Sequence, residues 1–500
     1  MDLTDISPKA ARHTGAEDAA ARSDLAPPAA ARPAPARPAA ARPDPDFLLK
    51  SALPDDVSRV LTVLGDAGYS ACLVGGAVRD ILRGAEPVDF DLASAAKPEE
   101  LAAVFTEATD WRLVDTGGLF GSMTLLTEHR SIEITTFRSD GSYSDSRHPD
   151  TVRFSSSVQD DLSRRDFTVN AMAFSLAEGL IDPFGGRADL AAKTLRAVGD
   201  ADARLREDAL RIMRALRFAA TLGLTVDEAL RRALHENRQL LRSVSAERIQ
   251  AELVRLIVAE SDSLLPVLLE FGDCLAVPIP ELAAALQLDQ LSPWHAYDVW
   301  EHSARAMTAV NGDDMIVRLA LLLHDIGKPP TFKTDENGRG HFYGHAPLGA
   351  EMARPRLQAL RFDSQTIEQT CDLIRNHFAT LTPDIVLRWL RRLGEQQLRR
   401  LIMVKRGDLS AHVASAAEVG LQNLDKFEAA LDEAIASAAA FSLSQLAVNG
   451  DDLLGIGYVA GPALGQALET LLDAVVDGQL PNQRDDLLAA AAQILRDSTG

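Results

Sequence analysis

Apolar residues are spaced in two different ways along the chain, and the spacing changes near residue 200. Before that point, short apolar runs (SACLVGG, VDFDLA, SMTLLTE and SIEITTF) are mixed with helical stretches, and SIEITTF alternates apolar with polar positions as a strand does. After about Asp200, apolar residues recur every three to four positions in EDALRIMRALRFAATLG, AERIQAELVRLIVAE and IVRLALLLHDIG, which predicts helices. The pattern therefore predicts an α+β head followed by an almost wholly helical body.

The domain boundaries follow from these changes of pattern. Residues 1–46 are rich in Ala, Pro and Arg, a composition that cannot bury a core, so we expect a disordered tail. We place the head at 47–199, a helical neck at 200–290, a helical bundle at 291–420 and a helical C-terminal tail at 421–500. A chain of 500 residues is long enough for several such domains.

Composition narrows the class of protein. The N-terminus has no apolar segment typical of a secretory signal, and no apolar run approaches the length of a membrane span. Cys72, Cys274 and Cys371 are scattered and odd in number, which favours reduced thiols in the cytoplasm over a disulfide framework. The formal net charge of -21 means that any contact with a nucleic acid must be local, because phosphate binding needs basic residues.

A glycine turn and two carboxylates form the first candidate site. In LVGGAVRD, Gly75 and Gly76 lie between a predicted strand and a helix start, where backbone N–H groups favour phosphate, and Arg79 could add charged donors. Asp89 and Asp91 follow in VDFDLA, and residues i and i+2 of a strand share one face. Two such carboxylates can bind magnesium ions, although a D-x-D pair is more often a solvated strand face. We expect the flanking apolar residues to alternate inward and to anchor the strand.

Further polar residues extend this site. Glu133, on SIEITTF, is either a third carboxylate or an ordinary exposed strand residue. In DLSRRDFTVNA, Arg164, Arg165 and Asn170 suit a triphosphate, since arginine offers a planar set of donors, although a salt-bridged helix start is the alternative.

The run EDALRIMRALRF predicts a helix with one polar stripe. The stripe has a spacing of three, and its members are Asp208, Arg211, Arg214 and Arg217. An aspartate and an arginine on a rigid helix can present an acceptor and donors to the edge of a base. A helix face with paired charges is the alternative interpretation.

These motifs, in this order and spacing, resemble the class II polymerase-β-like nucleotidyltransferases, the group that holds CCA-adding tRNA nucleotidyltransferases and bacterial poly(A) polymerases. The resemblance implies that Asp89 and Asp91 bind Mg²⁺ and that Gly76, Arg79 and Arg165 bind the triphosphate and sugar. It also implies that Asp208 and Arg211 pair with the incoming base, so that protein replaces a template. The resemblance implies further that Arg214 and Arg217 support that helix and the phosphates.

The loop region TGGLFGSMTLLTEHRSIEITTFRSDGSYSDSRHPDTVRF resembles the CCA-adding branch and lacks a segment associated with bacterial poly(A) polymerases. The expected activity is therefore addition of C, C and A to the 3′ end of tRNA from CTP and ATP. A poly(A) polymerase and an enzyme that adds only A remain alternatives. The C-terminal tail resembles the tRNA-binding segment of CCA-adding enzymes, which implies tRNA contact there. The oligomeric state stays open.

A second candidate site lies in the bundle. The candidate metal ligands are four histidines and two aspartates: His302, His324, Asp325, His345, His377 and Asp408. Imidazole and carboxylate are the usual ligands of divalent transition metals. This H…HD…H…H…D pattern resembles the HD superfamily of metal-dependent phosphohydrolases, which implies hydrolysis of phosphomonoesters or 2′,3′-cyclic phosphates. A phosphohydrolase whose head only binds RNA, and a non-catalytic RNA-binding protein, are the alternatives from other classes.

Overall fold

The head is built on one mixed sheet whose strands come from the short apolar runs. The computed structural model describes residues 44–117, 121–140, 152–436 and 442–499. The expected disordered tail, up to residue 43, and much of the loop region that resembles the CCA-adding branch lie outside these residues. Seven strands of the described part form the sheet, in the order β3-β4-β5-β2-β1-β8-β9.

The strands with their bounds are β1 (Ala71–Val74), β2 (Leu92–Ser94), β3 (Arg112–Gly117), β4 (Ser122–Leu126), β5 (Ser131–Thr136), β6 (Arg138–Asp140), β7 (Val152–Phe154), β8 (Ala173–Ser175), β9 (Gly179–Ile181), β10 (Thr194–Leu195), β11 (Thr225–Val226), β12 (Lys333–Thr334) and β13 (Gly340–His341). Within the sheet, β2 pairs parallel with β5, and the other pairs are antiparallel. The alternation in SIEITTF is confirmed, because Ile132 and Ile134 are buried while Ser131 and Glu133 are exposed.

The helices of the head are α1 (Pro45–Ala52), α2 (Asp55–Asp66), α3 (Gly76–Leu82), α4 (Pro98–Ala108), α5 (Val158–Ser163) and α6 (Gly186–Ala191). The helices that follow are α7 (Ala201–Glu207), α8 (Arg211–Leu222), α9 (Glu228–Asn237), α10 (Ala246–Ile257), α11 (Ser261–Leu275), α12 (Val299–Thr308), α13 (Met315–Leu323), α14 (Lys328–Thr331), α15 (His345–Ala359), α16 (Ser364–Asn376), α17 (Val386–Ser410), α18 (Ala414–Ala436), α19 (Gly450–Gly455), α20 (Pro462–Val476) and α21 (Arg484–Thr499). The predicted α+β head followed by a helical body is confirmed.

The hydrophobic cores show how the body is divided. One continuous core runs from the neck through the bundle, between Ala201 and Ala434, and takes in a few residues of the head such as Phe167. The tail has a core of its own between Leu446 and Ala491. The neck and the bundle are therefore packed as one helical body, which includes the start of the predicted tail up to Ala434, whereas the part of the tail from Leu446 packs mainly on itself. No described helix is long and apolar enough to cross a membrane.

The strand expected at VDFDLA is shorter than predicted, and the inward alternation of its apolar residues is only partly right. The strand β2 begins at Leu92, so Asp89 and Asp91 precede it. Phe90 is buried, but Val88 is 92% exposed. The physical reason is local: Pro87 lacks a backbone donor, and aspartate is unfavourable inside a strand.

Candidate active sites

A glycine turn forms one wall of the cleft in the head. Gly75 joins β1 to α3 with a φ of 68°, and its N–H donates to the carbonyl of Met172 at 3.1 Å. A Cβ atom at this position would lie 2.6 Å from Arg165 Nη1. Glycine is therefore needed twice, for the left-handed backbone and for the close approach of the Arg165 guanidinium.

Asp161 fixes the two neighbouring arginines. This fully buried carboxylate on α5 accepts hydrogen bonds from Arg164 Nη2 at 2.6 Å and from Arg165 Nη2 at 3.2 Å. Burial acts to raise the pKa of Asp161, but the charges of Arg165 and Arg164 outweigh it and lower that pKa. Sequence reasoning missed Asp161, although its spacing of three and four from the arginines is that of helical ion pairs.

A hydrogen-bonded chain ties three elements together below the cleft. Arg79 Nη1 on α3 donates to Asn170 Oδ1 at 2.6 Å, and Asn170 Nδ2 donates to Asp166 Oδ1 at 3.1 Å. Arg214 Nε on α8 then donates to Asp166 Oδ2 at 2.8 Å. Burial alone would raise the pKa of Asp166, yet the Arg214 charge and these hydrogen bonds lower it to about 2. The ionised Asp166 thus holds both arginines in fixed positions.

Asp208 does not lie on the same helix as Arg211, which corrects the predicted stripe. Its backbone is extended, with φ −139° and ψ 103°, and it separates α7 from α8. Its Oδ1 accepts from the N–H of Leu210 at 3.1 Å, and its Oδ2 pairs with Arg248 at 2.8 Å. Aspartate side chains compete with helical hydrogen bonds in this way, which explains why the helix begins only at Arg211.

The remaining arginines of the stripe do share the expected face of α8. Arg211 Nη1 donates to Glu207 Oε2 at 2.6 Å, and its Nη2 donates to the carbonyl of Arg164 at 2.8 Å. Arg217 pairs with the buried Glu252. Glu252 and Arg248, both on α10, are supporting residues that sequence reasoning missed, because they lie about 40 positions away in the chain.

The glycine turn, Asp208 and the arginines held in this way line a cleft of about 440 Å³. The predicted site residues found on its wall are Gly75, Gly76, Arg79, Asp91, Arg164, Arg165, Asn170, Asp208, Arg211, Arg214 and Arg217. Asp89 and Glu133 are exposed and lie outside this wall. One side of the cleft is thus strongly basic and suits a polyphosphate, while the carboxylates stand at its edge.

The carboxylates are close enough to affect one another. Because Leu92 pairs with Ile134 in parallel strands, Asp91, just before β2, stands beside Glu133 within β5. Loss of hydration, then the charge of Glu133 and that of Asp89, raise the pKa of Asp91, although Arg165 opposes them. Carboxylates that destabilise each other's charge in this way fit a divalent cation, which relieves the repulsion.

The second site is a buried point in the bundle where all six predicted ligands meet. His302 comes from α12, Asp408 from α17, and the other four follow or begin α13, α15 and α16. Three histidines, His324, His345 and His377, each direct Nδ1 to the carbonyl three residues earlier, at 2.7 to 2.8 Å. Those bonds fix the tautomer and turn each Nε2 lone pair toward the centre, as metal-binding histidines require.

Asp325 joins two groups of ligands, one at each oxygen. Its Oδ1 lies 3.7 Å from His345 Nε2 and 3.9 Å from His377 Nε2. Its Oδ2 lies 3.2 Å from His324 Nε2 and 3.6 Å from His302 Nε2. Ligands at about 2.1 Å from a tetrahedral ion stand roughly 3.4 Å apart, so each group has the size of one cation site.

The chemistry of these donors also fits metal ions. Both oxygens of Asp325 and Nε2 of His324 are buried and accept no hydrogen bond, although Lys328 Nζ lies 2.7 Å from Asp325 Oδ2. Burial acts to raise the pKa of Asp325, but His324 and Lys328 hold it well below its usual range. Burial lowers the pKa of His377 to about 3 and also lowers that of His302 and His345, which keeps these imidazoles neutral. At His324 burial has the same effect, but the charge of Asp325 outweighs it and raises the pKa, so a cation bound there would have to displace a proton. Ionised carboxylates and neutral imidazoles are the forms that bind metals.

Two further histidines, His295 and His412, lie beside this centre and were missed from the sequence. They cluster with His302, and His412 Nε2 is 3.4 Å from Asp408 Oδ1. His295 Nε2 is 3.5 Å from Lys328 Nζ. The spacing of His412, four residues after Asp408, was the available signal.

Comparisons with known proteins fit both sites. A CCA-adding enzyme of Geobacillus thermodenitrificans (strain NG80-2) is 33% identical over 435 residues, which cover 86% of this chain and 94% of that enzyme. The chain belongs to the CCA-adding enzyme family. It is accordingly a nucleotidyltransferase. The CCA-adding enzyme of Geobacillus stearothermophilus is 32% identical over 438 residues, with 86% of this chain and 94% of that enzyme covered.

Solved structures of CCA-adding enzymes share the fold. The crystal structure of the Bacillus stearothermophilus CCA-adding enzyme in complex with CTP matches with a TM-score of 0.65 and 27% identity, over 89% of this chain and 99% of that one. The Thermotoga maritima enzyme complexed with tRNA matches with a TM-score of 0.59 and 18% identity, over 90% of this chain and 99% of that one, and supports the fold alone.

Three family models locate the domains. The poly A polymerase head domain matches residues 71–196, and the HD domain matches 295–411. The probable RNA and SrmB-binding site of polymerase A matches 223–286, within the expected neck. The resemblances inferred from the motifs, to class II nucleotidyltransferases and to the HD superfamily, are confirmed. The outer boundaries of the domains stay predictions.

Proposed function

We propose that the head adds C, C and A to the 3′ end of tRNA, with CTP and ATP as donors. The observation that carries this is the cleft in which a basic wall faces Asp91. The 3′ oxygen of the RNA forms a bond to the α-phosphorus, the bond to the β-phosphate oxygen breaks, and pyrophosphate leaves as the hydroxyl proton is lost. Mg²⁺ held by Asp89 and Asp91, with Glu133 nearby, would stabilise charge on the attacking and leaving oxygens.

The chain's own residues position the donor nucleotide. Arg165, pressed against Gly75, and Arg79 present fixed guanidinium groups to the triphosphate, which suits its oxygens. Asp208 and Arg211 face the same cleft and offer an acceptor and donors to the base edge. Arg248 pairs with Asp208 and Glu207 pairs with Arg211, so both side chains are fixed, and the protein supplies a rigid pattern in place of a template.

The decisive experiment uses a tRNA that ends at the discriminator base. Incubation with CTP and ATP, followed by sequencing of the 3′ ends, should show C, C and A added in that order and then a stop. A run of A residues would identify a poly(A) polymerase, and addition restricted to ends that already carry C, C would identify an enzyme that adds only A.

Replacing Asp208 should relax the choice of nucleotide more than it slows the chemistry. In Asp208→Ala the base loses its acceptor and Arg248 loses its partner, so the preference for CTP and ATP over UTP and GTP should fall by about tenfold, within the roughly 1–3 kcal/mol of a good bidentate contact. Steady-state incorporation of each nucleotide measures the ratio. The exposed Glu236→Ala on α9 is the control, and an unchanged ratio in Asp208→Ala would remove Asp208 from base recognition.

We propose a second activity, hydrolysis of a phosphoester, for the metal centre in the bundle. It adds one water across a P–O ester bond, so that phosphorus gains the water oxygen and the released alcohol takes a proton. Divalent transition metals held by the six ligands would polarise the phosphate. Lys328, which reaches the cavity above Asp325, can bind a phosphate oxygen.

We also propose that the C-terminal tail contacts tRNA.

A further inference from the structure

An aromatic ring lies among the charged residues that line the cleft in the head. Phe218, in α8, lines this cleft, but it is only 6% exposed, so its neighbours cover most of the ring. The other described residues on the cleft wall are glycines or polar residues. Because an apolar ring offers a phosphate no hydrogen bond, any role of Phe218 in nucleotide binding must act through the side chains that it contacts.

Three guanidinium groups lie close to this ring. The Cζ atom of Arg217 is 3.8 Å from the centre of the Phe218 ring. The Cζ atoms of Arg214 and Arg79 lie 5.3 Å and 5.4 Å from the same point. All three distances are within the roughly 6 Å over which the electron-rich face of an aromatic ring attracts a cation. The ring is therefore a shared contact of three arginines on the cleft wall.

The ring also connects the two sides of the cleft. Arg79 belongs to α3 of the head, whereas Phe218 belongs to α8 of the neck. From the head, Phe167 meets the Phe218 ring edge-on, with ring centres 5.8 Å apart and an interplanar angle of 80°. Both rings are part of the core that continues through the neck and the bundle. The position of the Phe218 ring is therefore fixed by packing, and the ring relates an arginine of the head to the arginines of the neck.

Guanidinium groups packed this closely need support, because their charges repel one another. Burial lowers the pKa of Arg217, and the charge of Arg214 lowers it further, although Glu252 opposes both effects. A second carboxylate in the place of the ring would offset this repulsion, but it would also repel an incoming phosphate. An aromatic ring attracts the cations and has no net charge, so the charge of the arginines remains available to an anion.

We propose that Phe218 is a positioning residue for the triphosphate of the incoming nucleotide, because its ring holds Arg79, Arg214 and Arg217 in the arrangement that the triphosphate meets. This rests on the nucleotide addition proposed for the head. Arginines that are already in place lose less freedom when the phosphates arrive, so the ring strengthens the binding of the donor. It should serve CTP and ATP alike, since both carry the same triphosphate.

The test lowers the electron density of the ring and keeps its shape. The full-length protein is made with 3,5-difluorophenylalanine or 3,4,5-trifluorophenylalanine at position 218, since each fluorine makes the ring face less attractive to a cation. The KM values of CTP and ATP should rise stepwise, to about fivefold with three fluorines, with little change in kcat. Phe218→Leu, which removes the ring and keeps an apolar side chain, should raise both KM values at least as much. Trifluorophenylalanine at Phe105, a buried ring in the separate core of the head, is the matched control and should leave them unchanged.

Calorimetry of CTP and ATP binding, with Mg²⁺ and without RNA, provides a readout that does not need turnover. If the wild type binds CTP but does not build C, C and A, the proposed function falls, while a stepwise loss of affinity with fluorination still supports the role of Phe218. If the wild type adds C, C and A but fluorination changes only the melting temperature, or nothing, Phe218 is a packing residue and the proposal is overturned. A loss confined to CTP or to ATP would overturn it as well, because the ring would then act on the base and not on the triphosphate.

Discussion

Asp91→Asn should abolish nucleotide addition, with a fall in the rate of at least about a thousandfold. A metal-bound carboxylate contributes several kcal/mol to stabilising charge in the transition state, and each 1.36 kcal/mol is a factor of ten in rate. Asparagine keeps the shape of the side chain and removes its charge, so the cleft and its hydrogen bonds are preserved. Single-turnover incorporation of CMP into truncated tRNA measures the effect, and Asp89→Ala should behave alike.

Two further measurements separate catalysis from folding and from binding. Asp66→Asn, an exposed aspartate on α2 of the same head, should incorporate nucleotides at the wild-type rate. CTP should still bind to Asp91→Asn in the presence of Mg²⁺, because Arg79 and Arg165, which we propose bind the triphosphate, are fixed by Asn170 and Asp161 and not by Asp91. Near-normal incorporation by Asp91→Asn would exclude this carboxylate from the chemistry.

The parts of the site that could be predicted from the sequence depend on residues that are close to one another in the chain. The glycine turn is one example, since Gly75 and Gly76 lie between an apolar strand and the start of α3. The three arginines of α8 are another, because a spacing of three on a helix fixes a common face whatever the helix packs against. In both examples, the local backbone geometry alone determines where the residues lie.

The parts that could not be predicted depend on competition or on distant partners. Asp208 leaves the helical pattern because its carboxylate bonds the Leu210 N–H and Arg248, and the apolar spacing carries no sign of either bond. The late start of β2 has the same kind of cause. The spacing of apolar residues takes no account of Pro87, which has no backbone N–H to donate to a neighbouring strand. Asp325 was predicted as a ligand, but its position between two groups of histidines arises from the packing of four helices.

His324→Ala should remove phosphoester hydrolysis, by about a thousandfold or more, and leave nucleotide addition intact. His324 Nε2 is buried, accepts no hydrogen bond and stands 3.2 Å from Asp325 Oδ2, so its loss takes away one of the few donors that a cation can use there. Loss of a metal that polarises the phosphate costs several kcal/mol in the transition state. Hydrolysis of adenosine 2′,3′-cyclic phosphate with Mn²⁺ measures this effect, and mass spectrometry measures the bound metal.

Retained nucleotide addition is the check that His324→Ala still folds, because the neck and the bundle share one core with residues of the head. The exposed His129→Ala in the head is the control of the same residue type, and it should keep both activities and the wild-type metal content. If His324→Ala bound less metal yet hydrolysed normally, the hydrolysis would belong to another site. If addition fell together with hydrolysis in a variant that remained folded, the two centres would be coupled, and the expectation that addition stays intact would be wrong.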